Sequence, residues 1–405
     1  MKRLEYQLRF LTPAFLGDGE QSARWRTPPL KHLLREWWRV VWAAEHGFPN
    51  GDSAVQQMRH EEGLLFGHAW LEDDTWERNG RQVATAARKS LVRLRLDSWG
   101  SGKLKSWQDL EQGTIYHPEL QRTRYRVGPH AYLGYGPLDG RGNTKLSEKA
   151  NAAIQANESA TFAIAFPATH PQPELKELIE ANAPRIERAL WLMNRYGTLG
   201  GRSRNGWGSF CLTPSEPQGA FAAGHALPLR PWRDCLDRDW PHAIGCDQKG
   251  PLIWQTASHQ DWRSLMKTLA VIKVGLRTQF VFPDVKPPHT DIESRHWLSY
   301  PIATHRTRKW GNGMRLPNQL YFKIRQSDGG NVVGAIFHMP HLPPPAFCPD
   351  HKAVERTWEQ VHALLDHINS GSPRTYPMIP DDAPARRRSA LKPHIDSVTL
   401  ERIAE

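Results

Sequence analysis

RTPPLKHLLREWWRVVW, residues 26–42, carries two patterns at once. Leu30, Leu33, Leu34, Trp37 and Val41 recur at helical spacing, so one face is apolar and needs cover. Lys31, Arg35 and Arg39 stand four apart and share another face. Pro28 and Pro29 suit a first helical turn, where the missing N–H has no partner to lose. Gly47 and Pro49 mark the stop. An amphipathic helix with a cationic stripe predicts a sheet on one side and a negatively charged partner on the other.

The neighbouring segments supply that sheet. RLEYQLRFLTP (3–13) alternates Leu4, Tyr6, Leu8 and Phe10 with polar residues, the period of a half-buried strand. RKSLVRLRLD (88–97) alternates Arg93 and Arg95 with Leu94 and Leu96, and SATFAIAFPA (159–168) is strand-like throughout. Asn182 and Pro184 open a helix through Ile186, Leu190 and Met193, and GWGSFCLTP (206–214) ends in a strand. Strand, helix, strand, strand, helix, strand is the ferredoxin-like plan. The plan occupies residues 1–213, with an insertion around 98–158. Pro, Gly and Ala mark 214–247 as a linker.

The pattern returns over 248–380. PLIWQT (251–256) is strand-like, and Trp262, Leu265, Met266 and Leu269 lie on one helix face. QLYFKIRQSDGGNVVGAIFHMP (319–340) is a hairpin about Asp328, Gly329 and Gly330. Asp350 caps a helix through Val354, Trp358, Val361, Leu365 and Ile368 that stops at Gly371 and Pro373. Residues 381–405 form a basic tail. The expected fold is α+β, two tandem ferredoxin-like, RRM-like domains with long insertions; 405 residues exceed what one core usually serves.

Composition narrows the function. Hydrophobic residues at 39% and charged residues at 23% suit a folded chain rather than a disordered one. Lys and Arg total 53 against 42 Asp and Glu, a formal charge of +11 that favours polyanions, nucleic acid before acidic membrane. Seventeen tryptophans add faces that can stack on unpaired bases, although most tryptophans pack cores. The four cysteines include no C-x-x-C pair, and no signal peptide or membrane span is visible. A reducing cytoplasm is the expected location.

The segment richest in chemistry is YGTLGGRSRNGWGSF (196–210), five glycines around Arg202 and Arg204. Glycine permits close backbone approach and arginine forks onto phosphate. Trp207 follows Gly206 where a nucleotide P-loop needs Lys, and no G-x-G-x-x-G occurs there. An ordinary long turn is the alternative. This loop, with LTPAFLGDGE, RTPPLKHLLREWWRVVW, EEGLLFG, SLVRLRL and YLGYGP, resembles the RAMP superfamily of CRISPR proteins. It most resembles the first RAMP subunit of the Cmr, type III-B, effector; RHWLSYPI and RLPNQLYFKIR resemble the second domain of that subunit. Two positions depart: His32 stands where glycine is expected, and Asn205 where a second basic residue is common.

The resemblance implies a non-catalytic RNA-binding subunit at the head of a crRNA–protein filament in antiviral defence. It would contact the 3′ part of crRNA and the matching target RNA, beside other RAMP subunits, without cofactor or membrane. The basic face of the opening helix, Lys31, Arg35 and Arg39 with Arg24 and Arg26, would neighbour the loop residues Gly200, Gly201, Arg202, Arg204, Asn205 and Trp207 along the RNA backbone. A solvated cationic face paired with Glu36 and Glu45 is the alternative. Tyr132 and Tyr135, and Arg295 and His296, are further candidates for RNA contact, or else packing residues. The competing function is a metal-independent RAMP endoribonuclease. There His32 would act as general acid or base, with Lys31 or Arg35 steadying the phosphorane, or Asp18 would promote target cleavage. His338, His341, Cys348 and His351 have zinc-ligand chemistry, but their spacing matches no zinc motif, and no metal is expected.

Overall fold

The computed structural model describes residues 2–17, 19, 22–69, 75–78, 81–84, 87–107, 113–117, 119, 126–140, 144–147, 152–216, 221, 225–283, 287–302, 305–368 and 398–404. The fold is α+β, with antiparallel sheets and seven α-helices among the described residues. In the first half, β1 (Lys2–Phe10) leads into α1 (Thr27–Glu45) and α2 (Asp52–Phe66). Then come β2 (Arg93–Leu96), α3 (Pro129–Gly134), β3 (Ser159–Phe166), α4 (Pro173–Tyr196) and β4 (Phe210–Pro214).

The first sheet runs β4-β1-β3-β2, all antiparallel. The alternation in β1 has its expected result: Leu4, Tyr6, Leu8 and Phe10 are buried. They form one core with Leu34, Trp38 and Val41 of α1 and Ile186, Leu190 and Met193 of α4. The helix expected from Asn182 starts earlier, at Pro173, and Pro184 lies inside it. Asn182 is not a cap but a buried bridge. Its amide donates to Leu178 O at 2.9 Å, and its Oδ1 accepts from Trp38 Nε1 at 2.8 Å. The second bond ties α4 to α1 next to the proline, where the backbone ladder lacks a donor.

The stretch expected as a linker, 214–247, is folded over its second part. β5 (Leu229–Pro231) and β6 (Ile244–Asp247) pair in parallel, with Trp232, Cys235 and Leu236 buried beside them. The second half then runs β7 (Ile253–Thr256), α5 (Trp262–Thr278), α6 (Ser294–Leu298), β8 (Leu320–Gln326), β9 (Val332–His338), α7 (His351–His367) and β10 (Leu400–Arg402). Its sheet order is β8-β9-β7-β10, again antiparallel. Asp350 caps α7 through Ala353 N at 3.1 Å, and Asp261 caps α5 through Ser264 N at 2.8 Å. Inside the expected tail, β10 is an edge strand, while the basic run at 385–392 lies outside the described residues.

The halves meet along β8, whose open edge the first half covers. Phe322 N donates to Arg204 O at 3.1 Å and Ile324 N to Ser209 Oγ at 2.9 Å. Lys323, fully buried, donates to Gly197 O and Phe210 O, both at 2.6 Å. Arg325 Nε reaches Arg195 O at 2.9 Å, near the end of α4, where helix carbonyls lack partners.

Candidate nucleic-acid interface

The glycine loop owes much of its shape to its own chain. Gly200 has φ +93°, and a Cβ there would stand 2.7 Å from Phe15 O. Gly208 has φ +64°, and a Cβ would run into the Leu199 carbonyl. These two glycines let residues 197–208 close against the segment after β1, where Gly201 N and Gly208 N donate to Phe15 O and Pro13 O, each at 2.9 Å.

The loop then divides in two. Its second part faces the seam. Arg204 donates to Asn318 O at 2.5 Å and lies 4.6 Å over the Tyr321 ring. Asn205 is buried; its amide donates to Leu133 O at 2.7 Å and its Oδ1 accepts from Lys273. Trp207 is fully buried against Phe15, Trp107, His130 and Trp262. Asn205 and Trp207, expected on RNA, are therefore packing residues, enclosed by the insertion and by α5 of the second half. The first part stays outside: Gly200, Gly201 and Arg202 are exposed. Arg202 Nε donates to Tyr135 O at 2.6 Å, beside a tyrosine that is 62% exposed. Tyr132 is half-buried, with His117 at 5.4 Å between ring centroids and Arg277 6.0 Å from its own ring centroid.

The cationic stripe of α1 does not join this loop. Lys31 Nζ donates to Phe66 O at 2.7 Å. Arg35 Nε reaches Glu62 Oε1 at 2.6 Å, and Arg39 makes two bonds to the same carboxylate, both at 2.9 Å. Glu62 is 3% exposed. The stripe is thus the α1 side of a clamp to α2, a helix the sequence reading did not identify. Glu36 and Glu45, the expected partners, bond elsewhere, to His32 and to Arg185 and Arg188. The α1 face that meets the glycine loop carries Pro29, His32, Leu33, Glu36, Trp37 and Val40. With Tyr196, Leu199, Ser203, Arg204 and Tyr321 it lines a groove of about 360 Å³.

Arg24 is exposed, and Arg26 is half-buried with its Nε unpartnered. Arg295 and His296 offer no surface. Arg295 is 4% exposed and bonds Glu119 Oε1 at 2.6 Å; His296 is fully buried, with burial holding its ring at a pKa of about 4. His32 is exposed, and its hydrogen bond to Glu36 raises its pKa. Lys31 and Arg35, the expected helpers of His32, are engaged by α2. Asp18 lies outside the described residues.

The four zinc-type residues are separated by their contacts. His338 Nδ1 is 2.9 Å from His362 Nε2, His341 Nδ1 donates to Met339 O, His351 Nε2 donates to Leu236 O, and Cys348 is exposed. Among the described residues no group of three His, Cys, Asp or Glu side chains could hold a metal ion. No described helix is long and apolar enough to cross a membrane.

No protein-family model matches the chain, and no curated protein sequence matches it. Solved structures do. The crystal structure of Cmr1 from Pyrococcus furiosus, in apo form, covers 85% of this chain and 90% of its own, at 13% identity and TM-score 0.40. The chain is similar to Cmr structures. A chain of type III-B Cmr-beta bound to cognate target RNA and AMPPnP covers 88% of this chain and 99% of its own, at 11% identity and TM-score 0.44. Another, from Cmr-beta bound to cognate target RNA, gives 89%, 99%, 10% and 0.41.

Proposed function

We propose that the chain is a non-catalytic RNA-binding subunit of a type III CRISPR ribonucleoprotein effector of the Cmr kind. Its partners are crRNA, target RNA and neighbouring RAMP subunits. We read each half as a ferredoxin-like RAMP domain. In both, a strand-helix-strand-strand-helix-strand core forms a sheet ordered fourth, first, third, second. The observation that supports RNA binding is the Arg202 guanidinium, on the outer part of the loop before β4, bonded to the main-chain carbonyl of Tyr135, a residue that is 62% exposed. In this reading the guanidinium would take a phosphate and the tyrosine ring an unpaired base. The reading as non-catalytic rests on Lys31 and Arg35 being bonded to Phe66 O and Glu62 of α2, which engages the two cations that His32 would need as helpers.

Binding of single-stranded RNA to the purified chain, and to the chain co-purified with its partner subunits and guide RNA, tests this reading. Tyr135→Ala with Arg202→Ala should weaken binding roughly 10-fold, in line with about 1–3 kcal/mol per stacked base. The slope of log K against log salt should become shallower by about 0.7 for one lost phosphate contact. Unchanged affinity and slope would remove the reading. RNA cleavage by the wild type that disappears in His32→Ala would replace it with the endoribonuclease.

A further inference from the structure

A cleft of about 240 Å³ opens where the two halves meet, and neither half makes it alone. β1 brings Arg9 and β8 brings Gln326. The first turn of α5 brings Trp262 and Arg263, with Gln260 just before it, and the turn that closes the insertion brings Gln155 and Asn157. Hydrogen bonds and ring contacts position these groups. Asn157 N donates to Phe10 O at 2.7 Å, which pins its turn on the end of β1. Arg9 donates to Asn157 Oδ1 at 3.0 Å and to Gln326 Oε1 at 2.8 Å, so one guanidinium spans the seam. Arg263 lies 5.1 Å over the Trp262 ring, with its Nε buried and unpartnered.

These contacts leave the chemistry of the cleft available. Arg9 is held by amide oxygens and Arg263 by an indole face, neutral groups that leave each charge open to an anion. Asn157 and Gln326 turn their oxygens to Arg9, which leaves their NH2 groups to donate. Gln155 and Gln260 are exposed and add two more carboxamides. Asp261, a carboxylate on the same wall, accepts from Ser264 N at 2.8 Å as the cap of α5. A carboxamide presents a donor beside an acceptor, as the edge of a nucleobase does, and a guanidinium forks onto phosphate. A cavity of about 150 Å³ accepts a benzene ring, so this cleft has room for a nucleobase and part of its sugar.

We propose that the cleft is a second RNA site, which seats one nucleotide of an unpaired strand. The phosphate lies on Arg9 and Arg263, and the base edge meets the carboxamides. The inference rests on the RNA-binding reading and goes beyond it, since the site is built by both halves and shares no residue with the Arg202 and Tyr135 surface.

The full chain is tested with labelled decauridylate, an abasic ribose-phosphate decamer and uridine 5′-monophosphate. The variants are Arg263→Gln and the pair Gln155→Ala with Gln260→Ala. Lys352→Gln, at an exposed position of α7, is the control. All should keep the wild-type melting temperature. Arg263→Gln should lose at least 5-fold in affinity for both decamers, and its salt slope should become shallower by about 0.7. The glutamine pair should lose at least 3-fold for decauridylate, keep the wild-type slope and bind the abasic decamer normally. A decamer carrying 4-thiouridine should cross-link to the peptide around Trp262. The cleft site is overturned if its variants bind both decamers as the control does, if they lose affinity only together with melting temperature, or if they change binding of the monophosphate alone. Normal binding by the cleft variants, beside weak binding by Tyr135→Ala with Arg202→Ala, overturns the cleft and keeps the RNA-binding reading. A wild type that binds neither decamer, alone or with its partner subunits, overturns both.

Discussion

Glu62 brings Arg35 and Arg39 onto one buried carboxylate, so those arginines read as stability residues before they read as ligands. Replacing it with Gln leaves two guanidinium groups against a neutral amide, and this should cost about 1–3 kcal/mol in urea unfolding. Reversing Arg35 and Arg39 to Glu should lower stability by a similar or larger amount while the salt slope of RNA binding in the surviving folded protein stays unchanged. A slope that fell with stability intact would return the stripe to the RNA surface. The glycines separate in the same way. Gly208→Ala must move the Leu199 carbonyl and hold alanine at positive φ, so its melting temperature should drop sharply. Gly201→Ala meets Phe15 Cβ at 3.5 Å, ordinary contact, and should fold as the parent does.

At the scale of elements, much was legible where the pattern is local. The alternation of Leu4, Tyr6, Leu8 and Phe10 sets β1, and the spacing of Leu30, Leu34, Trp37 and Val41 sets α1, because each period follows from backbone geometry. The start of α4 was not legible. Pro184 reads as a beginning, and only Asn182 bonding Trp38 across the helix pair shows why the helix passes through it. Asn182→Ala should therefore cost about 1–3 kcal/mol, since the buried Trp38 N–H loses its acceptor; equal unfolding midpoints would show that the bridge is dispensable. The candidate site was half legible. Arg202, from the glycine loop, and Tyr135, from the insertion, were both singled out in the sequence, and the structure bonds the one to the main-chain carbonyl of the other. The bond from Lys273 of α5 to the Asn205 side chain was not legible, because it joins two segments 68 residues apart. Asn205, Trp207, Arg295 and His296 are buried by partners far from them in sequence or folded over them by loops, such as Lys273 on Asn205, Phe15 and Trp262 on Trp207, Glu119 on Arg295 and Phe282 on His296, and burial of that kind leaves no local pattern.

The two halves are held together along β8 by buried polar groups that do not tolerate loss of partners. Lys323→Met would strand the carbonyls of Gly197 and Phe210, with an expected loss of about 2–4 kcal/mol measured by denaturant unfolding. Five buried histidines set the acid limit. Burial lowers His117, His242, His296 and His341 from 6.5 to about 4 and His362 to about 3. Between pH 6.5 and those values the unfolded chain binds the protons and the folded chain does not, so stability falls as pH falls. Each histidine contributes about 1.4 kcal/mol per pH unit inside that window. Melting temperatures measured from pH 7.5 to 5 should decline steeply below 6.5; a flat profile would mean that these rings are hydrated or protonated in the native state.

Strand β10 returns to the second sheet from beyond residue 397, and Arg402 ties it down through Asp247 and the carbonyls of Gly250 and Pro251. A shortened protein ending after α7, the boundary that sequence pattern invites, would uncover the backbone of Trp254–Thr256 and release Asp247. Such a truncation would offer a sticky margin to other copies of itself, so self-association on trimming would trace to a missing three-residue strand rather than to any lost RNA contact.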